Sequence, residues 1–200
     1  MNAYIQDKLP IFAFVLVIFI LGISFGAVAV KTVDYSTKED VFSYFNGFLQ
    51  GFREIEYRKT VLLADSIGFN LMSIFIIWAF GLSMILMPLI AILIFFKGFV
   101  LGFTVGFLIS EYSFRGILIA LAAVFPQNLL VIPVYIIAAV LSIYISLSIF
   151  SYFRGKLAIK GEFLLKYSLE MLVLAVLLLL SSLIETYISP LLLNMVSRLF

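Results

Sequence analysis

The sequence contains no histidine and no cysteine. Their absence excludes Ser-His-Asp and Cys-His nucleophiles, thiol redox chemistry and the usual zinc ligands. Charge is scarce too: 12% of residues are Asp, Glu, Lys or Arg, about half the share in an ordinary soluble domain. A net charge of +2 gives no electrostatic footprint for nucleic acid. No GxxxxGK[ST] phosphate-binding loop is present, so ATP-driven work would need a second subunit. What abounds is apolar surface, with 64% hydrophobic residues and a mean hydropathy of +1.24. A water-soluble core built from 200 residues cannot hide that much, so the solvent is largely lipid. The expected fold is all-α: a polytopic transmembrane helical bundle forming a single integral membrane domain.

Spanning helices need about 20 mostly apolar residues. The first expected span is 10–30, uncharged between Lys8 and Lys31. Its small-residue end could pass for a signal cleavage site, but the length of the apolar run favours an uncleaved span. Spans at 67–87 and 89–110 follow, with Asp65 or Ser66 capping the first of them and Pro88 marking the hairpin between. The next uncharged stretch is too long for one span. Pro126 breaks the helical pattern there, Gln127 and Asn128 can bond the freed backbone groups, and Pro133 follows. The expectation is a re-entrant helical hairpin over about 116–134, then a span at 135–153. The fifth span is 167–188, stopped by Pro190.

Residues 31–66 form the one substantial polar stretch and hold six of the eleven acidic side chains. Within it Phe42, Phe45, Phe48 and Phe52 recur at helical spacing, which predicts an amphipathic helix at the membrane interface. The stripe is a candidate partner-binding surface; packing on the protein's own spans and lipid contact remain open. The carboxylate pairs Glu39/Asp40 and Glu54/Glu56 suit a solvated face better than glycan cleavage, which needs two carboxyls across a substrate-sized groove. No catalytic residue, metal site or cofactor is expected.

Two features inside the spans stand out. Gly98, Gly102 and Gly106 lie four residues apart, and Gly22 and Gly26 repeat the spacing in the first span. Such stripes let helices approach to backbone contact, within the chain or at a homodimer seam. Lys97 falls midway along the third span, where an ammonium faces a protein interior or water, or snorkels to the interface. A polar pathway through Lys97 and the break at Pro126 would suit a transporter or ABC-type permease subunit. Charge counting leaves orientation open. Five spans with the N-terminus inside place five basic residues inside and seven outside, leaving Lys97 aside, whereas six spans with the N-terminus outside give ten and two.

The arrangement resembles the stage II sporulation protein M family of small bacterial membrane proteins. The likeness rests on Gly22-x-x-x-Gly26-Ala27, the Phe-rich mixed-charge loop, Asn70, Gly98-x-x-x-Gly102 and Pro126-Gln127-Asn128-x-x-x-x-Pro133. Where the broader family often has Pro-His-Gly-x-x-Glu-x-Pro, this chain has Gln127, Asn128 and Val131, so no role for that His or Glu carries over. The resemblance implies five spans, a cytoplasmic N-terminus and a non-catalytic scaffold in the cell membrane. It further implies a place at the sporulation septum and the engulfing mother-cell membrane. The implied partners are stage II sporulation protein D, a lytic transglycosylase, and stage II sporulation protein P, an amidase. Together these remodel peptidoglycan during engulfment.

Overall fold

The computed structural model describes residues 8–33, 43, 59–154 and 161–197. Every regular element among them is helical, as lipid demands of a chain with no water to satisfy its backbone groups. The helices are α1 (Leu9–Ala29), α2 (Lys59–Gly81), α3 (Met87–Tyr112), α4 (Phe114–Ala123), α5 (Phe125–Phe153), α6 (Gly161–Leu183) and α7 (Ser189–Ser197), with a π-helical turn at Ile184–Ile188 joining the last two. Among the described residues five stretches are long and apolar enough to cross a membrane: Leu9–Ala29, Thr60–Gly81, Met87–Tyr112, Phe125–Phe153 and Gly161–Leu193.

Prolines open helices here rather than end them. Pro10, Pro88 and Pro126 all sit in a first turn, where a missing N–H leaves no bond unmade. Two sequence expectations change accordingly. Pro190 does not stop the last helix, because it falls in the first turn of α7 and the helix runs on through the π turn. Nor does the chain form a re-entrant hairpin over 116–134 followed by a span from 135. The break is confined to Val124, whose backbone stays in the right-handed helical region. Bonds from Val124 N to Ala120 O and from Asn128 N to Val124 O bridge the joint. Gly116 packs on Leu108 and the Tyr135 ring lies beside Lys97, so α4 and α5 descend in one direction, antiparallel to α3, and bend between. Asn128 Nδ2 donates to the Val124 carbonyl at 2.8 Å, the service expected of a polar residue beside a helix joint. Pro133 lies within the continuous α5, its side chain exposed to the lipid side.

Helix α5 is the central element: 56% of its membrane window is buried, against 17–33% for the other four spans. Around it, Ile74, Ile77, Ile90, Ile94, Ala138, Ala139 and Leu178 form the core. The outer faces carry Leu, Val and Phe, such as Leu169, Leu172, Val173 and Val176 on α6, as expected when the surrounding solvent is hydrocarbon. Without a water-driven hydrophobic effect between spans, close packing holds the bundle together.

The glycine stripes supply that packing within the chain. Gly22 and Gly26 of α1 lie against the backbone of Phe95, Phe99 and Phe103, while Gly98 and Gly102 of α3 lie against that of Phe19 and Ile23. The pairing is reciprocal and makes α1–α3 the most extensive helix contact. Gly106 continues it, less tightly: an added methyl would lie 3.2 Å from Ala27 Cα. Phe95, Phe99, Phe103 and Phe107 run along α3 with successive ring centroids 6.3–6.4 Å apart.

A smaller cluster of Leu108, Ile119, Ala120, Ala122 and Leu193 fastens α4 and α7 to the end of α3. At the opposite end of the bundle the Lys8 ammonium lies 5.0 Å from the Tyr144 ring centre, and Lys166 pairs with Glu170 at 3.9 Å. Burial pushes the Lys8 ammonium below its ordinary range, opposed by the attraction of Glu170.

Candidate functional site: an intramembrane polar cluster

The third span carries its lysine where the pattern put it, and the fold surrounds that lysine with polar side chains from three other helices. Lys97 Nζ lies 4.2 Å from the ring centres of both Phe69 on α2 and Tyr135 on α5. The Tyr135 hydroxyl donates to Asn70 Oδ1 at 3.3 Å, and Asn70 Nδ2 donates to Ser182 Oγ at 3.0 Å. Ser182 in turn donates to the Leu178 carbonyl, and Thr186 donates to the carbonyl of Ser182. Asn70, Ser182 and Thr186 are all buried. In hydrocarbon each such group needs a partner, and each has one.

Glu185 anchors the second half of the cluster. It sits in the π-helical turn, a local widening of the helix that recurs at functional sites. Its carboxylate accepts a hydrogen bond from Ser66 Oγ. Gln127, with its amide nitrogen turned toward the carboxylate, donates to both oxygens at 3.1 Å. Ser181 Oγ donates to the Gln127 carbonyl at 3.2 Å, closing the link between α5 and α6. Ser66 therefore does not cap α2, which begins at Lys59; it lies well inside that helix and reaches across to Glu185.

A separate polar group lies toward the Lys8 end. Tyr167 OH donates to the Trp78 carbonyl at 3.0 Å and lies 2.8 Å from Ser142 Oγ, packed into the space Gly81 leaves. Trp78 Nε1 donates to Ser168 Oγ at 3.2 Å. Along α2, α5 and α6, which contribute to both, the two polar groups are separated by buried apolar residues, Ile74 and Ile77, Ala138 and Ala139, Leu174 and Leu178, and on α3 Ile90 and Ile94 are buried on the side of Lys97 toward the helix start. The polar track from Glu185 ends at Lys97, against a dry layer.

The sequence-selected residues thus divide. Lys97 and Gln127 enter the cluster, Asn128 mends the helix joint beside it, and Gly22, Gly26, Gly98, Gly102 and Gly106 pack α1 on α3. Phe42, Phe45, Phe48 and Phe52 lie outside the described residues. Sequence pattern alone does not join Glu185, three residues from the end of the expected span 167–188, to Lys97 or Gln127. The run Ser181-Ser182-Leu183-Ile184-Glu185-Thr186, polar side chains within an apolar helix, is the signal that points to it. Among the described residues no group of three or more acidic, His or Cys side chains could hold a metal ion. A cleft of about 380 Å³ between α1, α3, α4 and α5 is lined by apolar side chains and Asn128, whose amide is already given to Val124.

The profile of the family described as stage II sporulation protein M matches residues 15–190. No curated protein and no solved structure matches the chain.

Proposed function

Because the chain belongs to the stage II sporulation protein M family, and so is a sporulation-related multi-pass membrane protein, we propose that it acts as a non-catalytic scaffold for peptidoglycan remodelling. In this reading it gathers a lytic transglycosylase and an amidase, stage II sporulation proteins D and P, at the sporulation septum and along the engulfing mother-cell membrane. The N-terminus and the basic stretch 154–166 face the cytoplasm, and the polar loop 31–66 faces the hydrolases. The observation that carries the reading is the apolar layer beneath Lys97: the polar cluster is closed on one side, as a device that fixes helices in register would be. Its bonds tie α2, α5 and α6 to one another.

The test is to tag the protein, solubilise membranes from sporulating cells in mild detergent, and identify what co-purifies. The two hydrolases in fixed proportion are expected; an ATPase without hydrolases would refute the scaffold. Replacing Phe42, Phe45 and Phe52 by polar residues should release the partners while the protein stays in the membrane. Unchanged capture would exclude the loop as the docking surface.

A second reading, a transporter or permease subunit, is favoured by one observation: a lysine inside the bundle, joined to a polar track. Lys97→Leu separates the two. Lost solute flux with intact complexes supports transport, and intact flux with impaired engulfment supports the scaffold.

A further inference from the structure

We propose that the apolar cleft between α1 and α4 is a lipid site, which holds one acyl chain of an anionic phospholipid while Lys31 at its mouth meets the phosphate.

The packing of the helices opens the cleft. Helices α1 and α4 both pack along α3 but make little contact with each other, so a gap of about 380 Å³ runs between them with α3 as its floor. Small residues deepen it: Ala27 on α1, Gly102 and Gly106 on α3, and Ala120 on α4 all line it. Further along, α5 closes the gap by packing on α1, and there Val15, Phe19, Ala138 and Ala139 are buried. The floor from Leu101 to Ile109 is about 12 Å of helix, most of the roughly 15 Å of hydrocarbon in one leaflet.

That depth selects the occupant. A spanning helix, from another protein or a second copy of this chain, would need the gap to continue through the other leaflet, where α1 and α5 are in contact. A chain anchored at one interface needs only the half that is open. Asn128 is the one polar side chain lining the cleft, and its amide is given to the Val124 carbonyl. Water would therefore find too few partners there, whereas a hydrocarbon chain needs none.

The mouth selects the headgroup. Ile23 and Ala27 lie on the cleft face of α1, and Lys31 continues their four-residue spacing. Bonds from Lys31 N to Val28 O and from Thr32 N to Ala29 O carry the winding of the helix through this position. Val30 lies beside Gly106, which sets this end of α1 level with the upper part of the cleft, and the Lys31 side chain is exposed. Glu111 and Arg115 are at the same end, but helical periodicity puts them on faces of α3 and α4 opposite the lining residues. Among the described residues the charge over the mouth is thus one ammonium at the interface, complementary to a phosphate.

The test uses the full chain in nanodiscs doped with phosphatidylglycerol or phosphatidylcholine, each carrying a photoreactive diazirine midway along one acyl chain. Adducts are mapped by mass spectrometry. Labelling is expected to concentrate on Ala27, Val105, Ile117 and Leu121 over the outward-facing Leu169, Leu172 and Val176 of α6. At the cleft, phosphatidylglycerol should label about fivefold more than phosphatidylcholine, the worth of one lysine beside an anionic lipid. Lys31→Gln should remove that preference, and Ala120→Phe should lower cleft labelling by both lipids without changing that of α6. Unlabelled phosphatidylglycerol should displace the cleft adducts at a lower mole fraction than those on α6, a measurement that needs no variant to fold. Equal labelling of the cleft and α6 overturns the proposal, as does a preference for phosphatidylglycerol that survives Lys31→Gln. A cleft that neither lipid labels, in nanodiscs holding two copies of the chain, would assign it to a second copy and overturn the lipid site.

Discussion

Replacing Gly102 by alanine tests whether α1 and α3 meet backbone to backbone. The added methyl would collide with the Ile23 carbonyl oxygen and lie 2.8 Å from Ile23 C and Cα. All three are backbone atoms that cannot rotate away, so the helices must move apart along their largest contact. Overpacking of this kind costs about 1–3 kcal/mol. For a chain of this size that is a fall in Tm of roughly 2–12 °C. The internal comparison is Gly68, where nothing lies within 4 Å of the added methyl. There alanine should be neutral, or stabilising by up to about 1 kcal/mol through helix propensity. Gly106→Ala should fall between, because its contacts begin at 3.2 Å and include the Val30 side chain, which can turn. Thermal unfolding of the purified variants in one detergent gives the ranking. If Gly102→Ala and Gly68→Ala unfold at the same temperature, the two helices do not pack through these glycines and the reasoning fails.

Three further outcomes follow from the polar contacts. Tyr167→Phe removes the bonds to Trp78 and Ser142 and should destabilise by about 1–3 kcal/mol, read by the same unfolding assay. A double-mutant cycle with Asn70→Ala and Ser182→Ala should give a coupling of about 0.6 kcal/mol and no more than about 2 kcal/mol; a coupling of zero would mean the two side chains do not meet. Lys8 holds its proton less tightly in the folded chain than in the unfolded one, because folding buries it. The unfolded state therefore binds more protons as pH approaches 10.5, and stability should rise with pH in that range. Lys8→Met should flatten that rise in a pH series of unfolding midpoints, and an unchanged slope would remove Lys8 as its source.

The sequence by itself determined the solvent, the helical class and the positions of the glycine stripes. Hydropathy summed over about 20 residues is a local quantity, and in lipid only helices or closed barrels satisfy the backbone. It also located Lys97 inside a span, since a charge within an apolar run needs no partner to be recognised. The tertiary structure decided the rest. Whether Gly22 and Gly98 serve one chain or two depends on which helix arrives, and α3 arrives beside α1. Pro126 read as a break because proline cannot continue a helix inward, but its effect is small at a first turn, where the preceding residue keeps helical angles. Pro190 misled for the same reason. The cluster of Ser66, Asn70, Lys97, Gln127, Tyr135, Ser182 and Glu185 draws on four helices separated by up to 119 positions in sequence. No periodicity links such residues. Only the packing of α2, α3, α5 and α6 brings them to one depth, because an unpaired polar group in hydrocarbon is costly and each helix must turn its own toward the others.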